Sequence, residues 1–356
     1  MGLPVISVEF KKLAATALTR SVRGILAVVI QDATSGVTWS SKAYTTLDDV
    51  DSEEFTTANY AILARAFDAA PYQVIVVRVG SDGTMETAEA ILDKLTYTRV
   101  CAVPASFQAG LVTYVKKINT DRRIRKAKAL VYNQGTADDM HIVSVANATV
   151  TLKGAGETTT MTDYLPRLAG LLAACPMDQS VTYAALSDLD AVADVSNLDT
   201  AIDGGSLCLF RDDDVIRIAR GVNTLKTVTG DVTEDMKKIA VVEAMDLIQE
   251  DIIRTFKLYY LGKKKNTADN QALFVADVSS YLNALAEKDV VAKDEPISVA
   301  VDVAAMRAAW EKAGVSTADL SEAQVKKKTF RAQVFITAQA RVLDAMEDMT
   351  MVFTMG

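Results

Sequence analysis

One histidine, three cysteines and a few short polar motifs are the residues whose types and spacing could do chemistry. His141 opens a strand-like stretch, HIVSV, and no G-x-S-x-G nucleophile elbow accompanies it, so a structural role is expected. GSDG (80–83) lies between a strand-like and a helix-like stretch, where backbone N–H groups could meet a phosphate. It lacks the Lys-Ser/Thr of a P-loop and the third glycine of a dinucleotide fingerprint, and reads as a turn. DDDV (212–215) offers carboxylates of the kind magnesium or calcium takes, yet strands flank it and aspartates favour turns. DDVDSEE (48–54) has no EF-hand glycine and reads as a solvated acidic loop. DRRIRKAKA (121–129) is basic but has no aromatics, and reads as a charged helix end rather than a nucleic-acid patch. Cys101, Cys175 and Cys208 are far apart in apolar surroundings, which suggests reduced, buried thiols without zinc spacing. The residues therefore favour a protein without catalysis, and no cofactor or metal is expected.

Composition sets the frame for the elements that must position these groups. A chain of 356 residues, 50% hydrophobic, can bury a sizeable core and suggests two or three domains. The net charge of −8 argues against nonspecific nucleic-acid binding. No apolar run reaches the roughly 18 residues of a membrane-spanning helix, so no membrane insertion is expected. The start of the chain lacks an apolar h-region with a cleavage site, so no secretion signal is expected.

A continuous apolar strand, YQVIVVRV (72–79), alternates with helical patterns over 56–70, 84–95 and 106–126. TRVCAVPA and KALVYN (128–133) read as further strands of an α/β layer with parallel pairing. Residues 140–160 read as a pair of β-hairpin strands, DYLPRLAGLLAAC as a helix, and 206–220 as two strands joined by an aspartate turn. A long helix is expected from Thr233 to Leu261, roughly 43 Å, with Asp231 as N-cap and Glu234 three residues on. Its apolar stripe includes Val241, Met245, Ile248 and Ile252, and Glu243, Asp246 and Glu250 repeat the spacing on the opposite side. Helices over 268–287 and 303–313 follow, and Ser321 with Gln324 has the spacing of a capping box.

Both ends of the chain alternate with period two. Near the start, Ile6, Val8 and Phe10 share a face, with a small-residue linker to Ser21. Near the end, Phe330, Val334, Ile336 and Val342 fall on one face of a run from Phe330 to Val342. Asp344, Glu347 and Asp348 break the run, and Met351, Phe353 and Met355 resume it. A terminal strand leaves its backbone groups unpaired unless it joins a sheet, either its own or a neighbour's.

RGVNTLKT (220–227), IRTFKLYYLGKKKN (253–266), AWEKAGVSTADLSEAQVKKK (309–328) and the closing strand pair together resemble the contractile tail sheath proteins of bacteriophages and phage-tail-like bacteriocins. The short sheaths of Gram-positive hosts are the nearest pattern, and the resemblance is most specific from about residue 200 onward and in the N-terminal arm. It implies a mixed α/β (α+β) fold with an outer mixed domain and terminal β-strand arms for exchange between subunits. The implied parts are an arm and linker over 1–21, an inner core over 22–85 and 200–328, an outer middle domain over 86–199, and a C-terminal strand arm over 329–356. Ile6, Val8, Phe10, Phe330, Val334, Ile336, Val342, Met351 and Phe353 would be the exchanged strand residues, and 11–21 the hinge.

The resemblance further implies stacked hexameric rings of this chain around a tail tube, with baseplate and tail terminator proteins as partners. The particle would be assembled in a bacterial host cytoplasm and would drive the tube through a target envelope without consuming nucleotide. Arg307, Lys312, Lys326, Lys327 and Lys328 are expected to form a basic strip facing an acidic tube; a solvated face is the alternative. The competing readings are an α/β enzyme holding a phosphate or nucleotide at GSDG, and a tube or surface-layer subunit.

Overall fold

A computed structural model describes residues 24–121, 126–154 and 156–355. The described residues divide into two compact units, one over 24–246 and 344–355, the other over 247–343. The N-terminal strand residues Ile6, Val8 and Phe10, and the linker over 11–21, lie outside the described residues.

The larger unit is built on strands β1 (Ile25–Gln31), β2 (Ser41–Tyr44), β3 (Gln73–Val79), β4 (Arg99–Ala102), β5 (Lys128–Tyr132) and β6 (Ile142–Val145). Between them run helices α1 (Thr57–Phe67), α2 (Met85–Leu92) and α3 (Gln108–Asp121). β7 (Thr149–Leu152), β8 (Thr158–Thr160), α4 (Met161–Ala174), β9 (Ala185–Leu186), β10 (Leu189–Val192), α5 (Leu198–Asp203) and β11 (Ser206–Leu207) follow. The hairpin β12 (Leu209–Asp212) and β13 (Val215–Ile218) completes the strands of this unit. The main sheet has seven strands in the order β11-β6-β5-β4-β1-β3-β2, parallel throughout except for β2 at one edge.

The apolar run of β1 is continuous because both faces of the sheet are covered. Leu26, Val28 and Ile30 meet Leu63 and Ala66 of α1 and Leu165 and Leu168 of α4 in one buried cluster. Ala27 and Val29 point the other way, into a cluster with Met85, Ala88 and Leu92 of α2 and Leu111 and Val115 of α3. Helices α1 and α4 cross closely at Gly170, where an added Cβ would lie 2.3 Å from the Ala66 carbonyl oxygen.

The strands of this sheet come from 25–145 and from 206–207. The residues expected as two hairpin strands split: β6 joins the main sheet in parallel, and β7 pairs antiparallel with β8 and β10.

The long helix is shorter than expected. A 3₁₀ turn over Glu234–Lys237, capped by Thr233 rather than Asp231, precedes α6 (Ile239–Thr255), and the last turn widens into a π-helix over Phe256–Tyr260. In the second unit, α7 (Ala268–Ala286) buries Phe274, Val278, Tyr281 and Leu285, the expected face. Tyr260 and Phe274 meet edge to face at 4.9 Å, which gives the widened turn an aromatic seat. β14 (Ser298–Val301), α8 (Val303–Lys312), α9 (Glu322–Lys327) and β15 (Ile336–Gln339) complete it. The Ser321–Gln324 capping box forms as expected.

Candidate functional site

The motifs with chemical potential are used up internally. GSDG lies after β3, beside the crevice where doubly wound sheets bind ligands. There Gly83 N–H closes a turn on the Gly80 carbonyl at 2.8 Å, and Gln31 Nε2 donates to the Gly83 carbonyl at 2.8 Å. Glycine at 83 is a packing requirement, since a Cβ would meet Val79 at 2.6 Å. At the end of β1, Asp32 accepts from the Thr34 and Thr56 amides and from Asn59, and pairs with Arg78 at 3.0 Å. Burial alone would raise its pKa; the hydrogen bonds outweigh that and bring it to about 2. The Arg78 guanidinium is spent on the Asp32, Thr34 and Glu54 carbonyls.

DDDV forms the β12–β13 turn, with Asp213 in the left-handed region at φ 50° and Asp212 paired to Arg217. Among the described residues no group of His, Cys, Asp and Glu is placed to hold a metal ion. No described helix is long and apolar enough to cross a membrane. All three cysteines are free; Cys101 and Cys208 are buried and Cys175 partly so, and burial pushes the Cys175 and Cys208 thiols up to about 11.

His141 sits in a buried charge network that the sequence did not signal. Its Nε2 lies 3.3 Å from Asp246 and its Nδ1 3.5 Å from Asp139. Lys128 bridges Glu243 at 2.9 Å and Asp246 at 2.8 Å, and Arg99 meets Glu243 at 2.5 Å. Burial acts to lower the His141 pKa, but the two aspartates outweigh it and raise the net value, with Lys128 opposing them. Burial would raise Asp246; Lys128 and His141 reverse this and bring it to about 2. The polar side of α6 is thus partly a buried ion-pair face.

The C-terminal region has the opposite character. β14 and β15 form a two-stranded antiparallel ribbon with Ser298 opposite Gln339 and Val301 opposite Ile336. The pairing extends at one end to Asp302 and Phe335, and resumes beyond an inserted loop at Val291 and Val342. The loop is tied by Arg341 to Glu295 at 2.5 Å. Two strands leave two outer edges, and among the described residues neither edge carries a third strand.

The expected single strand from Phe330 to Val342 is therefore realised only from Ile336 to Gln339. The cause is a turn at Phe330–Gln333, with Arg331 at φ 43°. Asn266 Nδ2 holds this turn by donating to the Arg331 and Gln333 carbonyls at 3.0 and 2.9 Å. Phe330 is buried within its own unit, edge to face with Trp310 at 4.9 Å. Val334, Ile336 and Val342 are half-buried. Met351 and Phe353 lie in a stretch without strand structure, and the segment is open to solvent: Met346 is 103% exposed and Phe353 79%.

The basic residues divide. Lys312, Lys326 and Lys327 are exposed on α8 and α9. The Arg307 guanidinium donates to the Thr317 and Leu320 carbonyls, and the Lys328 ammonium lies 5.0 Å over the Trp310 ring.

Residues 231–356 match the model of the phage tail sheath C-terminal domain. The whole chain is 31% identical, over 98% of both chains, to a tail sheath protein of Clostridium phage phiCD119. This chain belongs to the phage tail sheath proteins. Its fold is shared with a sheath tail protein of Listeria innocua (TM-score 0.70, 13% identity, 94% of this chain and 99% of that one). A sheath tail protein of Desulfitobacterium hafniense is similar too (TM-score 0.67, 14% identity, 90% and 97%). So is the helical sheath of the anti-feeding prophage in its contracted state (TM-score 0.66, 11% identity, 94% and 93%). In this tail sheath protein the family-specific C-terminal stretch contains the open ribbon and the exposed segment.

Proposed function

We propose that the chain polymerises as stacked hexameric rings around a tail tube, and that this sheath contracts to drive the tube through a target cell envelope. The observation that carries the reading is the β14–β15 ribbon: two strands, two outer edges, and an exposed apolar segment directly after it. An isolated two-stranded ribbon is marginal in water, and added strands satisfy its edges at about 0.5–1.5 kcal/mol net per hydrogen bond. The N-terminal residues Ile6, Val8 and Phe10 of one subunit and the segment containing Met351 and Phe353 of another are the strands that would supply them. Phe330 serves in this scheme as the fixed root of the arm.

Lys312, Lys326 and Lys327 form the face offered to the tube, with Arg307 and Lys328 bracing the two helices beneath. Baseplate and tail terminator proteins bound the polymer at its ends. Assembly takes place in the host cytoplasm, and the subunit performs no catalytic step and binds no nucleic acid. Negative-stain images of the purified chain test the reading: tubes or sleeves support it, and a monodisperse monomer under all conditions overturns it.

A further inference from the structure

In a segment otherwise open to solvent, one side chain is buried: Glu347 is 5% exposed, next to a fully exposed Met346. Four groups converge on its carboxylate. Thr182 Oγ1 donates to Oε1, Ser180 Oγ lies 3.3 Å from the same oxygen, Lys238 pairs with Oε2, and Arg220 Nε lies 3.7 Å away. Thr182 is pre-aimed, because its oxygen already accepts from Ser180 at 3.0 Å and from the Gly221 amide at 2.8 Å, leaving its proton for Glu347.

The socket is built on fixed backbone. Val222 bridges Lys238, Asn223 N–H donates to the Lys237 carbonyl at 2.9 Å, and Ile239 N–H donates to the Gly221 carbonyl at 2.9 Å. Neighbouring acids add to the match: Asp348 meets Arg220 at 2.5 Å and Asp344 lies 3.7 Å from Lys238. Thr182 and Lys238 give the carboxylate charge-assisted bonds, stronger than neutral ones, and Arg220 adds a second positive charge nearby.

We propose that Glu347 is the seat of the C-terminal segment: the socket of Ser180, Thr182, Arg220 and Lys238 fixes the point from which the apolar stretch over 349–355 emerges for capture by a second copy of the chain. This rests on the reading that the stretch is an assembly arm. A seated arm starts its search from one position and loses less freedom on capture, so unseating it slows assembly. Lys238 and Arg220 are partly exposed and can rehydrate when the carboxylate is lost, so the body of the subunit stays folded.

The test compares wild type, E347Q and the swap pair E347K with K238E in the full chain. Amide hydrogen exchange over 344–348 is read in the free subunit, and sheath formation is followed by light scattering. Exchange in E347Q is expected to quicken about tenfold and assembly to slow by a similar factor, with the swap recovering most of both. Unchanged exchange in E347Q, or wild-type assembly despite faster exchange, overturns the seat. If wild type itself forms no polymer, the proposed function falls, and the exchange result alone decides whether Glu347 is a seat.

Discussion

The seven-stranded unit and the C-terminal ribbon solve the same problem in opposite ways. In the first, every strand between the edges is paired on both sides and both faces are covered by helices. Even its charges are buried in pairs, with Arg99, Lys128 and His141 set against Glu243, Asp246 and Asp139. In the second, the pairing stops at two strands and the following segment exposes Met349, Met351, Phe353 and Met355. A region complete in itself can serve as a rigid body. A region with open edges can still take on further strands. In the proposed assembly the two conditions belong together, because a polymer that changes shape needs stiff subunits and joints that can give.

The comparison can be broken at its stiff end. Replacing Lys128 with Met leaves Glu243 and Asp246 buried against fewer cations, and should destabilise the subunit by about 3–5 kcal/mol in chemical denaturation. In the smaller unit, Phe330→Ala should also cost about 3–5 kcal/mol, by emptying the site against Trp310 at the root of the ribbon. Gly170→Ala should cost at least about 1–3 kcal/mol, since the added carbon meets backbone rather than a flexible side chain. A loss within measurement error at both Lys128 and Gly170 would mean that the seven-stranded unit is not the rigid one.

Titration sharpens the same contrast. His141 has a raised folded pKa, so its contribution is complete below about pH 6.5 and fades as pH rises through the folded value. Asp246 and Asp32, both held near 2, contribute above about pH 4 and lose this as pH falls toward 2. His141→Gln should flatten the dependence of unfolding free energy on pH above about 6.5, leaving the acid limb in place. The smallest effect is expected at the exposed lysines. Neutralising Lys312, Lys326 and Lys327 together should change stability by less than about 0.5 kcal/mol while reducing co-assembly with the tail tube in a salt-dependent manner.

How much of this was legible in the sequence follows the same divide. YQVIVVRV announces a doubly covered strand because its run is continuous, and the Ser321–Gln324 spacing announces its cap because both partners are local. The strand order of the main sheet was not legible, because a parallel sheet collects strands that lie far apart in sequence, such as β6 beside β11. The alternation from Phe330 to Val342 promised one strand, yet Asn266, more than sixty residues earlier, holds a turn at its start. Glu347 looked like an interruption of the pattern, because Thr182, Arg220 and Lys238 come together only in the fold. Arg99 and Lys128 stood at the mouths of apolar strands, a signal that they would need buried partners, but no local pattern pointed to α6.

The most direct measurement is electron microscopy of the full chain beside a variant ending at Leu343, with unfolding of both followed in parallel. The account predicts tubes or sleeves from the full chain, and a folded, cooperatively unfolding subunit without polymer from the shortened one. Polymers of normal form from the shortened chain would contradict it.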